Sequence, residues 1–183
     1  AAPVQWALIN GEEETGVTTM FMTEELDAGP ILLQEELEIA KGDDAGSLGE
    51  KLSKVGASLL IRTLERLKKG ELIPVEQEEE EATEAPSLKK SDGLLNFAKK
   101  AKVLGCRIRG LTPWPGAYTS FEGKLLKIHR VSLSDGKGKP GEILAVGPDG
   151  IEVACGEGSL IIRELQLEGK KRMTAVDFLK GHR

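Results

Sequence analysis

An acidic segment divides the chain into two parts with different hydrophobic patterns, and this division constrains the possible folds most. Residues 74–86 contain six glutamates and no large apolar residue after Val75. Such a segment repels itself and buries too little apolar surface to form a core of its own. At 183 residues, the chain has room for two small folded parts. We therefore predict folded parts at residues 1–72 and 89–183, joined by an acidic linker at 73–88.

The front part has the pattern of a mixed α/β unit. We expect a short helix over residues 3–9, strands over 17–22 and 31–39, and an amphipathic helix over 47–69, where apolar residues recur every three to four positions. A pair of strands is only marginally stable in water by itself. We therefore expect the rest of this sheet to lie upstream of Ala1.

The back part changes to a pattern typical of short strands. A helix over residues 94–108 and a last helix over 175–180 flank five apolar runs that are separated by turns. The runs are 117–121, 125–131, 142–146, 151–154 and 160–167. Their spacing predicts a small closed or partly open barrel. Trp114, between two prolines, could stack on a base, but we favour a packed turn because aromatic side chains usually belong to cores.

Charge is divided as unevenly as hydrophobicity. Residues 1–88 hold 7 Lys+Arg and 20 Asp+Glu, a net charge of −13, whereas residues 89–183 hold 18 and 10, a net charge of +8. The basic part favours a nucleic acid or another anionic partner, although well-solvated surfaces explain the same charges.

Cysteine and histidine are too few to predict metal or disulfide chemistry. The only histidines are His129 and His182, and Cys106 and Cys155 form no paired-spacing motif. We therefore expect no metal site and no disulfide scaffold. With no membrane span or leader in the sequence, we expect a cytoplasmic protein.

The loop at residues 23–30 is the first candidate site. Asp27 lies between Leu26 and the small residues Ala28 and Gly29, and a proline follows. Such a loop can hold a carboxylate near the end of a strand, where open α/β sheets bind ligands. The same spacing fits a turn aspartate that caps its own backbone. Spacing alone leaves both interpretations open.

Residues 14–32 read ETGVTTMFMTEELDAGPIL, which resembles the signature of the folate-dependent formyltransferases. The resemblance places Asp27 on the family's catalytic aspartate and Thr18 on a position where the glycinamide ribonucleotide members carry an active-site serine. It also implies that Leu26, Ala28 and Gly29 contact the co-substrate 10-formyltetrahydrofolate. The family's main folate loop and its catalytic Asn and His would lie upstream, so this chain alone is expected to be inactive.

The back part resembles the methionyl-tRNA members of that family. Residues 107–117 look like the start of their C-terminal barrel domain, and residues 166–173 with 177–181 are similar to their terminal motif. The resemblance implies an incomplete Rossmann-like formyltransferase domain followed by an OB-like small β-barrel, acting as a monomer on initiator methionyl-tRNA. The candidate tRNA contacts are Arg107, Arg109, Lys124, Lys127, Lys170, Lys171 and Arg172.

Two other interpretations stay open. The chain could be a noncatalytic nucleic-acid-binding module whose acidic front is only a scaffold. It could also belong to a sister formyltransferase that acts on a sugar nucleotide or hydrolyses formylfolate. The Asp27 loop favours an enzyme over a scaffold. The acidic linker is expected to repel phosphates and to make no contact with tRNA.

Overall fold

The front part folds into a helix, a β-hairpin and a long helix. The computed structural model describes residues 1–78, 80 and 82–181; Glu79 and Glu81 of the predicted linker, and His182 and Arg183, lie outside the described residues. The elements are α1 (Pro3–Asn10), β1 (Glu14–Met20), β2 (Ile31–Glu38) and α2 (Ala45–Lys68). All four predicted elements are confirmed, with bounds that differ from the prediction by at most three residues.

Local sequence explains where the two helices begin and end. Helix α1 has Pro3 in its first turn, where a missing N–H breaks no helical hydrogen bond, and Gly11 ends it with a φ of 78°. Asp44 precedes α2, and its side chain accepts a 2.9 Å hydrogen bond from the backbone N–H of Ser47. Both helices therefore have terminal residues of suitable chemistry.

A small apolar cluster holds the front part together. Its buried members are Leu8, Ile39, Ala45, Leu48 and Leu52. The hydroxyl groups of Thr19 on β1 and Thr63 on α2 share a 2.8 Å hydrogen bond, which ties the hairpin to the helix. Elsewhere on α2, Leu60, Ile61 and Leu64 are between 51% and 60% exposed. The described residues thus cover only one side of this helix.

The described residues of the back part form a short 3-10 helix, two α-helices and a β-sheet. A short 3-10 helix (Lys90–Gly93) is followed by α3 (Ala101–Leu111), β3 (Ala117–Phe121), β4 (Lys124–Ser134), β5 (Ile143–Gly147), β6 (Gly150–Ala154), β7 (Ser159–Leu167), β8 (Met173–Thr174) and α4 (Ala175–Gly181). The five predicted strands and the last helix are confirmed. The two-residue strand β8 is additional, and it forms only because it pairs with β7.

The strands form an open antiparallel sheet. Its order is β3-β4-β7-β6-β5, with β8 paired to β7. Among the described residues no pairing joins β3 to β5, so a closed barrel is not observed. The prediction of a mixed α/β unit followed by a β-sheet is confirmed at this coarser level.

Two local predictions for the back part are wrong. The helix predicted from residue 94 begins at Ala101, because Leu95 donates a 2.9 Å backbone hydrogen bond to Tyr118 instead. Leu94 is extended, with φ −67° and ψ 121°, and forms a parallel bridge with Tyr118, so the chain is not helical at this point. Trp114, predicted to be packed, is 54% exposed because it lies in the surface turn between α3 and β3.

Helix α1 belongs to the front part by sequence but also packs on the back part. A Cβ on Gly110 of α3 would lie 2.7 Å from the backbone oxygen of Gln5 and 2.6 Å from the side chain of Ile9. The apolar cluster of the back part includes Ala2 and is covered by Trp6 and Ile9. The close approach requires glycine on α3, and it fixes α1 against both parts of the molecule.

Most described residues of the predicted linker are exposed, but Leu88 is buried in the apolar cluster of the back part and other residues are anchored. Val75 exchanges two backbone hydrogen bonds with Ile31, of 2.7 and 2.9 Å. Near the other end, Ala2 N donates to Ala85 O at 3.0 Å, and the indole N–H of Trp6 donates to Pro86 O at 2.8 Å. The segment is therefore held at two places. No helix in the described part of the chain is long and apolar enough to cross a membrane.

Candidate functional site

The loop between β1 and β2 is closed at its base by backbone contacts. Phe21 N donates a 3.0 Å hydrogen bond to Pro30 O. Gly29 is buried beneath this closure, and a Cβ built on it would lie 1.7 Å from the backbone oxygen of Phe21. No other residue fits there without moving the backbone. The Gly29-Pro30 pair therefore determines how the chain returns into β2.

Asp27 lies at the tip of this loop in an unusual backbone conformation. Its φ is 56°, in the left-handed region that aspartate tolerates better than most residues. Its side chain is exposed, and no protein group in residues 1–78, 80 and 82–181 bonds the carboxylate. The carboxylate is therefore free to accept a hydrogen bond or a proton from a ligand.

Gln77, which lies 50 residues after Asp27 in the sequence, bonds the backbone of this loop. Its side-chain Nε2 donates to Asp27 O at 2.8 Å and to Gly29 O at 2.7 Å, and it lies 3.6 Å from the sulfur of Met20. Sequence reasoning missed this residue because it stands among glutamates in a segment interpreted as a solvated linker. Only the pairing of Val75 with Ile31 reveals that this segment passes the loop.

The other predicted residues of the front part differ in their surroundings. The Thr18 hydroxyl accepts a 3.1 Å hydrogen bond from Gln34 Nε2 on the paired strand, and no hydrogen bond links Thr18 to the Asp27 loop among the described residues. Leu26 is 95% exposed and Ala28 is exposed, whereas Gly29 is buried. Leu26 and Ala28 thus flank the carboxylate, and Gly29 shapes the loop.

A basic surface lies on β4, β7 and the turn before β8. Lys127 on β4 pairs across the sheet with Gln166 on β7, whose side-chain Nε2 donates to Lys170 O at 2.9 Å. Lys170 and Lys171 are exposed in the turn, and Arg172 follows them. Lys124 begins β4 and is also exposed. The structure therefore brings five of the seven predicted basic residues to one sheet and its turn.

His129 and Arg130 lie on the same surface and were not among the predicted contacts. Burial lowers the pKa of His129, the charge of Arg172 lowers it further, and a hydrogen bond to Gln166 opposes these effects. Arg130 and Arg172 both bond Glu164, at 3.7 and 2.6 Å. The positions of His129 and Arg130 depend on the register of β4 against β7. The sequence showed that β4 is a strand but did not show this register.

Arg107 and Arg109 lie on α3 and bond the protein itself. Arg107 donates to Asp92 O through Nε at 3.0 Å and through Nη2 at 2.6 Å. Arg109 donates to Asp43 O at 3.2 Å, so it links the back part to the front part. These contacts give both guanidinium groups a structural role, and their contact with tRNA stays a prediction.

The two cysteines are buried and are not bonded to each other. Cys106 and Cys155 are both free thiols, and burial raises the pKa of Cys155. Within the described residues, no group of three or more His, Cys, Asp or Glu side chains is arranged to hold a metal ion.

Comparison with known proteins finds similarity over the complete chain. A family model described as formyl transferase matches residues 1–64, and one described as formyl transferase, C-terminal domain, matches residues 87–183. The methionyl-tRNA formyltransferase of Citrifermentans bemidjiense is 52% identical over 183 residues, which cover 100% of this chain and 58% of that protein. That of Geobacter metallireducens is 50% identical, with 100% and 59% covered.

A solved structure with a similar fold is HypX from Aquifex aeolicus in complex with tetrahydrofolic acid. The TM-score is 0.71 at 20% sequence identity, covering 98% of this chain and 32% of that chain. At this identity the likeness concerns the fold alone. The chain spans 58% and 59% of the lengths of the two curated relatives.

Proposed function

The chain belongs to the formyl transferase family, and from this premise we propose that the full-length protein transfers a formyl group from 10-formyltetrahydrofolate to the amino group of initiator methionyl-tRNA. The proposal is supported by the similarity to methionyl-tRNA formyltransferases, which extends over all of this chain at 52% and 50% sequence identity. The exposed carboxylate of Asp27 supplies a group of the right chemistry at a loop tip.

Asp27 would act on the proton that the attacking amine releases. The α-amine must be neutral to attack the formyl carbon, and a free α-amine has a pKa of about 8, which leaves a useful neutral fraction near neutral pH. Attack forms a C–N bond and an oxyanion, and the attacking amine loses a proton. The oxyanion then returns to a carbonyl group as the bond between the formyl carbon and the folate nitrogen breaks, and the folate nitrogen takes up a proton. A carboxylate that accepts a hydrogen bond from the amine, directly or through a water, removes the proton that the amine loses.

The basic surface would bind the tRNA backbone. Lys124, Lys127, Lys170, Lys171 and Arg172 lie on one sheet and its following turn, and cations on such a surface neutralise phosphates and release counterions. We propose that this sheet works as an OB-like nucleic-acid-binding fold. The register shifts between β4 and β7 near Ile128 and Arg130 support this, because bulges bend strands toward closure.

We propose the same three parts that the sequence pattern predicts: a catalytic part at residues 1–72, a linker at 73–88 and a tRNA-binding part at 89–183. Two apolar clusters support the division, although the cluster of the back part also includes Ala2 of the front part. We also propose a monomer located in the cytoplasm. Two buried thiols that form no disulfide are compatible with a reducing compartment.

The test is Asp27→Asn in the full-length protein, assayed with methionyl-tRNA and 10-formyltetrahydrofolate. We expect kcat to fall by about 10²- to 10⁴-fold, the usual contribution of general acid–base catalysis. Glu25→Gln is the matched control, because it removes another exposed carboxylate from the same loop. Near-normal turnover by Asp27→Asn would contradict the assignment.

The same assay separates the alternatives. An amino-sugar nucleotide and water are offered as formyl acceptors in place of methionyl-tRNA. Faster transfer to either would favour a sister enzyme. Binding of tRNA without transfer to any acceptor would favour a noncatalytic module.

A further inference from the structure

We propose that Gln77 is a positioning residue that holds Asp27 in its working orientation, an inference that rests on the proposed function of this loop. Its amide group donates to the carbonyl of Asp27 at 2.8 Å and to that of Gly29 at 2.7 Å. The two bonds fix the Asp27–Ala28 and Gly29–Pro30 peptide planes. The aspartate is thereby clamped on its C-terminal side.

The loop has little else to fix its tip. Met22 is 94% exposed and Leu26 is 95% exposed, so apolar packing does not hold this segment. The closure between Phe21 and Pro30 fixes the base of the loop but leaves Asp27 several residues away. Asp27 has a φ of 56°, a conformation that costs some free energy even for aspartate, so a contact that fixes it there is useful. The Thr23 hydroxyl bonds Glu25 O at 3.0 Å, and among the described residues the Gln77 amide is the side-chain group that bonds the backbone of Asp27 itself.

The segment that carries Gln77 is itself positioned. Val75, two residues earlier, exchanges backbone hydrogen bonds of 2.7 and 2.9 Å with Ile31, at the start of β2. The linker therefore runs beside the strand that the loop enters, and the side chain of Gln77 reaches back to the loop. In this way the segment between the two parts of the molecule contacts the proposed catalytic residue through its backbone.

The chemistry requires an amide at this position. One NH2 group supplies both donors that the two carbonyl oxygens need. A glutamate has nearly the same shape, but its ionised carboxylate offers no donor and would repel both oxygens. Leucine has similar size and offers neither donor nor charge. Gln77→Glu and Gln77→Leu therefore remove the clamp by different routes.

The experiment compares these two variants with Glu76→Gln, a neighbouring linker change, in the full-length protein. We expect both Gln77 variants to lower kcat roughly 10- to 100-fold, the loss that misplacing a catalytic group produces, while KM for methionyl-tRNA stays within about twofold. Hydrogen exchange should rise at residues 22–30 and stay unchanged in α2. Glu76→Gln should behave as wild type in both measurements.

Combination with Asp27→Asn distinguishes the two proposals. If Gln77 acts through Asp27, adding Gln77→Leu to Asp27→Asn lowers kcat no further. Equal losses in both backgrounds would overturn the positioning role. Wild-type kcat in both Gln77 variants, with Asp27→Asn strongly impaired, would overturn it and leave the proposed function intact. Full activity of Asp27→Asn would overturn the roles given to Asp27 and Gln77 together, whereas formyl transfer to methionyl-tRNA would itself still be observed.

Discussion

Asp43 bonds residues before α2, on α2 and on α3. Only 5% exposed, it accepts hydrogen bonds from Lys51 at 2.7 Å, Ser47 at 2.8 Å and the backbone N–H of Ala40 at 3.0 Å. Its backbone oxygen accepts the bond from Arg109. Burial by itself would raise the pKa of Asp43, but the hydrogen bonds outweigh burial and lower it. The folded protein therefore stabilises the charged carboxylate.

Asp43→Asn should lower the free energy of unfolding at pH 7 by about 1.5–3 kcal/mol, because hydrogen bonds to a charged group are lost. Since the folded pKa of Asp43 is below the unfolded one, the stabilisation is present above the unfolded pKa, near 4, and is lost as pH falls through the folded pKa. Urea unfolding of wild type and variant should therefore converge in acid.

Asp149→Asn is the control for that comparison, since Asp149 bonds Arg163 at 3.0 Å but is 80% exposed. We expect little change in stability, as for other exposed ion pairs. Equal stability of Asp43→Asn and wild type at pH 7 would contradict the role given to Asp43.

The contrast between Asp27 and Gln77 defines what a single sequence can reveal about this site. Asp27 could be proposed because its neighbours Leu26, Ala28 and Gly29 form a local pattern that resembles a family signature. Gln77 contacts the same loop from 50 residues away, and its own neighbours suggest only a solvated chain. A local sequence pattern can indicate only contacts between residues that are near in sequence. The contact of Gln77 depends on the pairing of Val75 with Ile31, which brings the linker beside the loop.

At the scale of elements, periodicity predicted the strands better than the start of α3. Residues 94–100 have helical spacing, yet Leu95 bonds Tyr118. A Cβ on Gly93 would lie 2.2 Å from Gly116 O, so the chain passes close to the turn before β3. Tertiary contacts of this kind override a weak helical preference. The helix starts where these contacts end, at Ala101.

Replacing a helical glycine by alanine should change the free energy of unfolding in opposite directions at two positions, Gly110 and Gly49. Gly110→Ala places a Cβ against α1 and should destabilise the protein by about 1–3 kcal/mol, the usual effect of overpacking. Gly49→Ala, on α2, meets no atom within 4 Å and should stabilise it by about 0.5–1 kcal/mol through helix propensity. Urea unfolding of both variants measures this difference. Effects of the same sign would contradict the close packing of α1 on α3.

For the whole molecule, the net charges of −13 on residues 1–88 and +8 on residues 89–183 give the two parts surfaces of opposite charge. Helix α1 contacts both parts, so the acidic hairpin with Asp27 and the basic sheet are joined by packing as well as by the linker. The contacts of Val75 and Gln77 keep Glu76 and Glu78, their neighbours in sequence, close to the front part. Phosphates would thus be attracted by the sheet and repelled by the segment that holds the Asp27 loop.

The basic turn should dominate the salt dependence of tRNA binding. Arg172 is paired with Glu164, whereas Lys170 and Lys171 are exposed in the turn. Replacing all three by Ala in the full-length protein should weaken tRNA binding. Each lost phosphate contact reduces the slope of log affinity against log salt by about 0.9, so the slope should fall by roughly 2 if the two lysines carry most of the effect.

A matched variant separates this surface from net charge. Lys54, Lys68 and Lys69 are exposed on or next to α2, and replacing them by Ala changes the total charge by the same amount. Their removal should leave the salt slope unchanged, because counterion release depends on cations that contact phosphate and not on the overall charge. Unchanged tRNA binding at low salt by the Lys170, Lys171 and Arg172 variant would exclude this turn from the binding surface.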